Sequence, residues 1–143
     1  MFDGPDLTSG ALRLSSGAMP VTLITIALGG ALGAVLRYLS VSAALRLLGP
    51  GFPYGTLFVN VIGSLLMGIA AAVILERGGA DRVYLFLMTG VLGGFTTFSA
   101  FSLDALYLIE KGRVAAAATY IGGSVGLSIL ALVLGLWAGR AMT

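Results

Sequence analysis

Four long apolar runs are separated by short polar or glycine- and proline-rich clusters. Residues 21–36 are uncharged and the apolar pattern continues past Arg37 to Leu45, while residues 54–75, 83–103 and 114–139 contain no charge at all. A helix rising ~1.5 Å per residue needs about 20 residues to cross a ~30 Å hydrocarbon layer, and each run is long enough. The pattern therefore predicts four membrane-spanning helices, over 21–47, 54–75, 83–109 and 114–139. Gly49-Pro50-Gly51, with Pro53 beyond, stops the first. Connections of a few residues make successive helices antiparallel.

Within the spans, polar residues fall into lines. Thr56, Asn60 and Ser64 are spaced by four and share one helix face, as do Tyr120, Ser124 and Ser128. Hydroxyls in such lines serve equally well as glue between helices, worth about 0.6 kcal/mol each, or as the lining of a pathway. An asparagine is different, because its amide is costly in hydrocarbon without a partner. Two such stripes facing each other would offer hydroxyl and amide donors suited to a small anion.

The third run carries the least ordinary segment, Gly90-Val91-Leu92-Gly93-Gly94-Phe95-Thr96-Thr97-Phe98-Ser99-Ala100-Phe101-Ser102. A double glycine followed by two β-branched threonines is poor helix sequence, and Phe95 lies ~18 Å into the span, near the midplane. A break is expected there. At that depth, irregular backbone survives only when buried in protein or lining a cavity, and its freed carbonyls can hold a cation. Phe98 and Phe101 lie close on one face. Packing and lipid contact are the ordinary uses of such a pair; the alternative is that their electropositive ring edges attract an anion.

Composition narrows the functional classes. The chain is 58% hydrophobic and 10% charged, and it has no cysteine and no histidine. A soluble domain carries about 25% charged residues. Disulfides, thiolate nucleophiles, imidazole bases and Cys/His zinc sites are excluded. A dispersed net charge of +2 does not suggest nucleic-acid binding. Of the ionisable residues in or near the spans, Arg37 could snorkel, bind lipid headgroups or attract anions at a vestibule, and Asp104 reads as interfacial. Neither forms a catalytic pair, so no enzyme is expected.

Lysines and arginines are evenly divided between the two sides. Arg13, Arg77, Arg82 and Arg140 share one side; Arg46, Lys111 and Arg113 lie on the other, joined by Arg37 if it snorkels. Orientation normally follows a basic excess on the cytoplasmic side. The balance reads either as a weak bias or as dual topology, with copies inserted both ways. Small-xxx-small pairs at Gly29/Gly33, Gly90/Gly94, Gly122/Gly126 and Gly135/Gly139 let helix backbones approach closely, mostly within one subunit. Residues 1–18 lack hydrophobic periodicity and read as a frayed extension. Residues 19–143 read as the membrane domain, with Met19 an alternative start.

Three ordered motifs carry a resemblance: residues 29–38 (GGALGAVLRY), 55–63 (GTLFVNVIG) and 93–99 (GGFTTFS). Together they resemble the signatures of the Fluc (CrcB) fluoride channels, over about residue 19 to the C-terminus. The resemblance implies an all-α protein of the cell membrane, an antiparallel dual-topology homodimer with two pores, exporting fluoride passively. It implies a structural Na⁺ on the two-fold axis, held by the backbone carbonyls of Gly93 and Thr96. Phe98 and Phe101 would line the pores with Asn60 as a donor to fluoride. Thr56, Ser99, Tyr120, Ser124 and Ser128 would complete the polar track, and Arg37 would sit at the vestibule. Ser99-Ala100 departs from the family's usual Ser-Thr and loses one hydroxyl. The alternative, a small dual-topology multidrug or cation exporter, would want an acid in the first helix, where Arg37 stands instead.

Overall fold

The computed structural model describes residues 19–76 and 82–142; the readings made for residues 1–18, for Arg13 and for Arg77 lie outside them. Among the described residues, four helical spans are long and apolar enough to cross a membrane. They are α1 (Met19–Leu48), α2 (Tyr54–Glu76), α3 (Arg82–Glu110) and α4 (Val114–Arg140). The expected boundaries hold to within two residues. The chain is a multi-pass membrane protein.

Glycines at positive φ close two of the spans. Gly49 (φ 78°) follows α1, and Gly112 (φ 71°) follows α3. At the second, the Gly112 N–H donates to Ile109 O and the Arg113 N–H to Leu108 O. These paired bonds satisfy carbonyls that the helix end would otherwise orphan.

Tight backbone approach pairs the spans two by two. The α1 residues buried in the subunit are Gly29 and Gly33, which face α3. A methyl group on Gly29 would meet Phe86 O at 2.5 Å and Gly90 Cα at 3.0 Å, and one on Gly94 would meet Gly30 O at 2.6 Å. Likewise α2 packs on α4, where Gly135 lies against the Leu65 carbonyl and Gly68 against that of Leu132. Helix association in lipid gains little from apolar burial and depends on such close packing. Three of the four glycine pairs are thus spent inside the subunit. Around Gly122 and Gly126 nothing of the subunit comes within 4 Å of an added methyl.

As expected, α3 is not one continuous helix. It opens with an α-turn, widens into a π-helical stretch over Leu85–Leu92, closes through Gly93–Phe95, and restarts at Phe98. In the wide stretch the Gly93 N–H reaches Met88 O, five residues back; π turns are often found at functional sites. Between the halves, Thr96 (φ −78°, ψ 156°) and Thr97 (φ −153°, ψ 121°) are extended. The second half packs on the start of α4 through Phe101, Ala105, Leu108, Ala117 and Tyr120.

Candidate functional site

The break in α3 is held by two side chains. From α2, Asn60 Oδ1 accepts the Thr97 N–H (2.8 Å) and Asn60 Nδ2 donates to Thr97 O (3.0 Å). The Thr97 hydroxyl then accepts the Ala100 N–H (3.2 Å), capping the second half. Both captures have a cost on the opposite side of the ladder. A continuous helix would return the Thr97 N–H to Gly93 O and the Ala100 N–H to Thr96 O. With those N–H groups engaged elsewhere, the Gly93 and Thr96 carbonyls lose their helical partners. Gly93 is exposed on the subunit surface and Thr96 is half-buried. Two oxygens of high partial charge and no competing side chain are a donor set suited to a hard cation.

Beside the break lies a cavity of about 370 Å³ between α2, α3 and α4. Asn60, Phe98, Phe101, Ser124 and Ser128 line it, as do Ser64 and Thr97. None of its lining residues is ionisable. The hydroxyls of Ser124 and Ser128 are buried and reach no hydrogen-bond partner. Unpaired buried hydroxyls are uncommon and call for an explanation. Asn60 also lines the cavity, and of its two amide protons one goes to Thr97. The Phe98 and Phe101 rings are 5.5 Å apart at 42°, with Phe101 buried and Phe98 78% exposed on the isolated subunit.

Thr56 and Tyr120, read from the sequence as parts of the same track, sit one turn away around an acid. Asp104 Oδ2 accepts from the Thr56 hydroxyl at 2.7 Å and from the Tyr120 hydroxyl at 3.3 Å. Tyr120 is fully buried, with its ring 5.4 Å from Phe101 and 5.5 Å from Phe52. Thr56 and Asp104 open on their far side to a second cavity, of about 200 Å³, near the α1–α2 connection. Arg113 lines that cavity and donates to Gly51 O. Ser99 is exposed, its hydroxyl 3.2 Å from that of Thr97. Arg37 is half-buried on α1 and lines neither cavity.

Two residues outrun their sequence reading. Asp104, taken as interfacial, is the acceptor on which Thr56 and Tyr120 converge; the signal was its position three residues after Phe101, hence on the same face. Thr97 had been one half of a poor helix dipeptide, yet its backbone and hydroxyl both hold the break. The signal there was a threonine three residues before Ala100, the spacing of an N-cap.

A family model described as CrcB-like protein, camphor resistance (CrcB), matches residues 24–136. A protein of Cereibacter sphaeroides named fluoride-specific ion channel FluC is 56% identical over 119 residues, covering 83% of this chain and 94% of the relative. Proteins of that same name from a Ruegeria species (55% over 125 residues, 87% of this chain and 98% of the relative) and from Rhodopseudomonas palustris (52% over 124 residues, 86% and 100%) are similarly close. The likeness runs through all four spans and both halves of the broken helix, and the chain belongs to the CrcB family.

Proposed function

We propose that this chain is a passive, fluoride-selective channel that lets fluoride leave the cell. The observation that carries the reading is the uncharged donor-lined cavity beside the break. Fluoride is small and strongly hydrated, so a pathway must replace its water with several modest donors and still let it go. The unpartnered hydroxyls of Ser124 and Ser128, the spare Asn60 N–H and the edges of Phe98 and Phe101 meet that requirement. A lysine in the same place would hold the ion. The names borne by the relatives support the choice of anion.

The working unit in this reading is an antiparallel homodimer with two pores. The exposed Phe98 ring, the cavity lying open beside it and the even division of basic residues support that assembly. The released carbonyls of Gly93 and Thr96, contributed by both subunits, would hold a structural Na⁺, whose charge offsets carbonyl dipoles that the membrane interior leaves unsolvated. Asn60 and Thr97 keep those carbonyls free of helical partners. Arg37 is assigned to attracting anions near the membrane surface.

Reconstitution in lipid vesicles tests the reading. Fluoride efflux, driven by its gradient with valinomycin present to carry compensating K⁺, is expected to be fast and electrogenic and to exclude chloride. Absence of fluoride flux, or proton-driven uptake of organic cations in its place, would overturn it.

A further inference from the structure

The fluoride donor and the cation-binding carbonyl are joined by one line of amides. Thr96 C=O and Thr97 N–H belong to the same peptide unit. Among the described residues there are no cis peptide bonds, so these two dipoles point in opposite directions from one plane. On one side, the Thr96 carbonyl has lost its helical partner. On the other, the Thr97 N–H donates to Asn60 Oδ1 at 2.8 Å, and the side chain bearing that oxygen lines the cavity with one amide N–H not given to Thr97.

We infer that Asn60 and the Thr96–Thr97 peptide form a polarisation relay, by which a cation on the Thr96 carbonyl strengthens Asn60 as a donor to fluoride. The inference rests on the fluoride and Na⁺ sites proposed above and adds a coupling between them. A cation drawing electron density towards Thr96 O leaves the Thr97 N–H more positive. That N–H in turn draws density towards Asn60 Oδ1, and amide resonance leaves Asn60 Nδ2 more positive. Successive hydrogen bonds in a low dielectric reinforce one another in this way, by about 10–30% per bond. The second Asn60–Thr97 bond, Nδ2 to Thr97 O at 3.0 Å, fixes the amide plane so that its other N–H cannot swing away. The cation site then does more than neutralise carbonyls at the break: it tunes a donor in the pathway.

Coupling between two binding sites is reciprocal, which gives readouts independent of flux. Fluoride binding to the purified full-length protein is titrated calorimetrically in saturating Na⁺ and with Na⁺ replaced by N-methylglucamine. Retention of ²²Na⁺ is measured by equilibrium dialysis with and without fluoride. Each ion is expected to tighten the other by the same factor, about fivefold, at the low end of ordinary coupling between sites. Phe98→Leu should weaken fluoride binding and keep that factor. Asn60→Ser, too short to span from Thr97 to the cavity, should bring it to about one. An ester in place of the Thr96–Thr97 amide deletes the N–H without changing any side chain and should do likewise, which covers the case of an Asn60→Ser protein that does not fold. A factor that survives the ester or Asn60→Ser would mean that the cation acts through space, and the relay falls. Binding of both ions with no mutual effect in the unaltered protein would also overturn the relay while leaving the two sites standing. Failure of either ion to bind at all would instead sink the proposed sites, and the relay with them.

Discussion

Asparagine in the middle of a membrane span has two amide protons and one carbonyl to satisfy. Asn60 spends one proton and the carbonyl on Thr97. Its replacement by alanine removes a cavity donor together with the clamp on the break. Fluoride efflux should fall by at least about tenfold, a barrier increase of ~1.4 kcal/mol, and thermal stability should drop with it because the Thr97 backbone groups lose their partner. Ser124 and Ser128 make the opposite case. Their hydroxyls have no partner to lose, so Ser124→Ala and Ser128→Ala should leave the melting temperature unchanged or raised while slowing fluoride efflux. Equal losses of stability and flux would show that these serines are structural glue. The four-residue spacing of both polar lines was legible from the sequence. The split between hydroxyls left without a partner and hydroxyls taken by Asp104 was not, since it depends on how α2, α4 and the second half of α3 lie against one another.

At the scale of the element, the third span is made by its interruptions. The double glycine and the paired threonines foretold a break near the midplane. The sequence carried no comparable signal for the π-helical stretch over Leu85–Leu92, because its apolar residues would suit an ordinary helix equally well. Its geometry is a tertiary outcome of packing on α1. Thr97→Val keeps the bulk and the extended preference of the residue but removes the hydroxyl that accepts the Ala100 N–H. Loss of such a cap should lower stability by about 1 kcal/mol, measurable as a lower melting temperature in detergent. Glycine at the helix contacts leaves less room. Gly33 lies against the Val91 carbonyl and Gly135 against that of Leu65, so valine at either should separate the paired spans and abolish the folded protein on gel filtration.

For the whole molecule, the four spans and their order followed from hydrophobic run length alone, whereas the way they pair did not. Alternate spans, first with third and second with fourth, make the closest approaches, and only the glycines hinted at it. The assembly in the membrane can be read by attaching an epitope to the C-terminus and labelling sealed vesicles. Copies inserted in both orientations should leave about half the tags accessible from each side. Labelling from one side only would contradict the antiparallel pair. Gly122 and Gly126, unlike the glycines of the other three pairs, can be changed to alanine without an added methyl meeting any atom of the subunit within 4 Å. Any change in association caused by those substitutions would therefore report on neighbours alone.

The severed third helix has one consequence for how the protein behaves with acidity. Its negative pole, at the released Gly93 and Thr96 carbonyls, and its positive pole, at the restart near Phe98, are built from peptide groups that neither gain nor lose protons. A distinction between anions and cations made by such poles cannot be titrated away. The part of the anion preference that rests on these poles should accordingly be as strong in acid as in alkali, even as acid shifts external fluoride towards its neutral, membrane-permeant form.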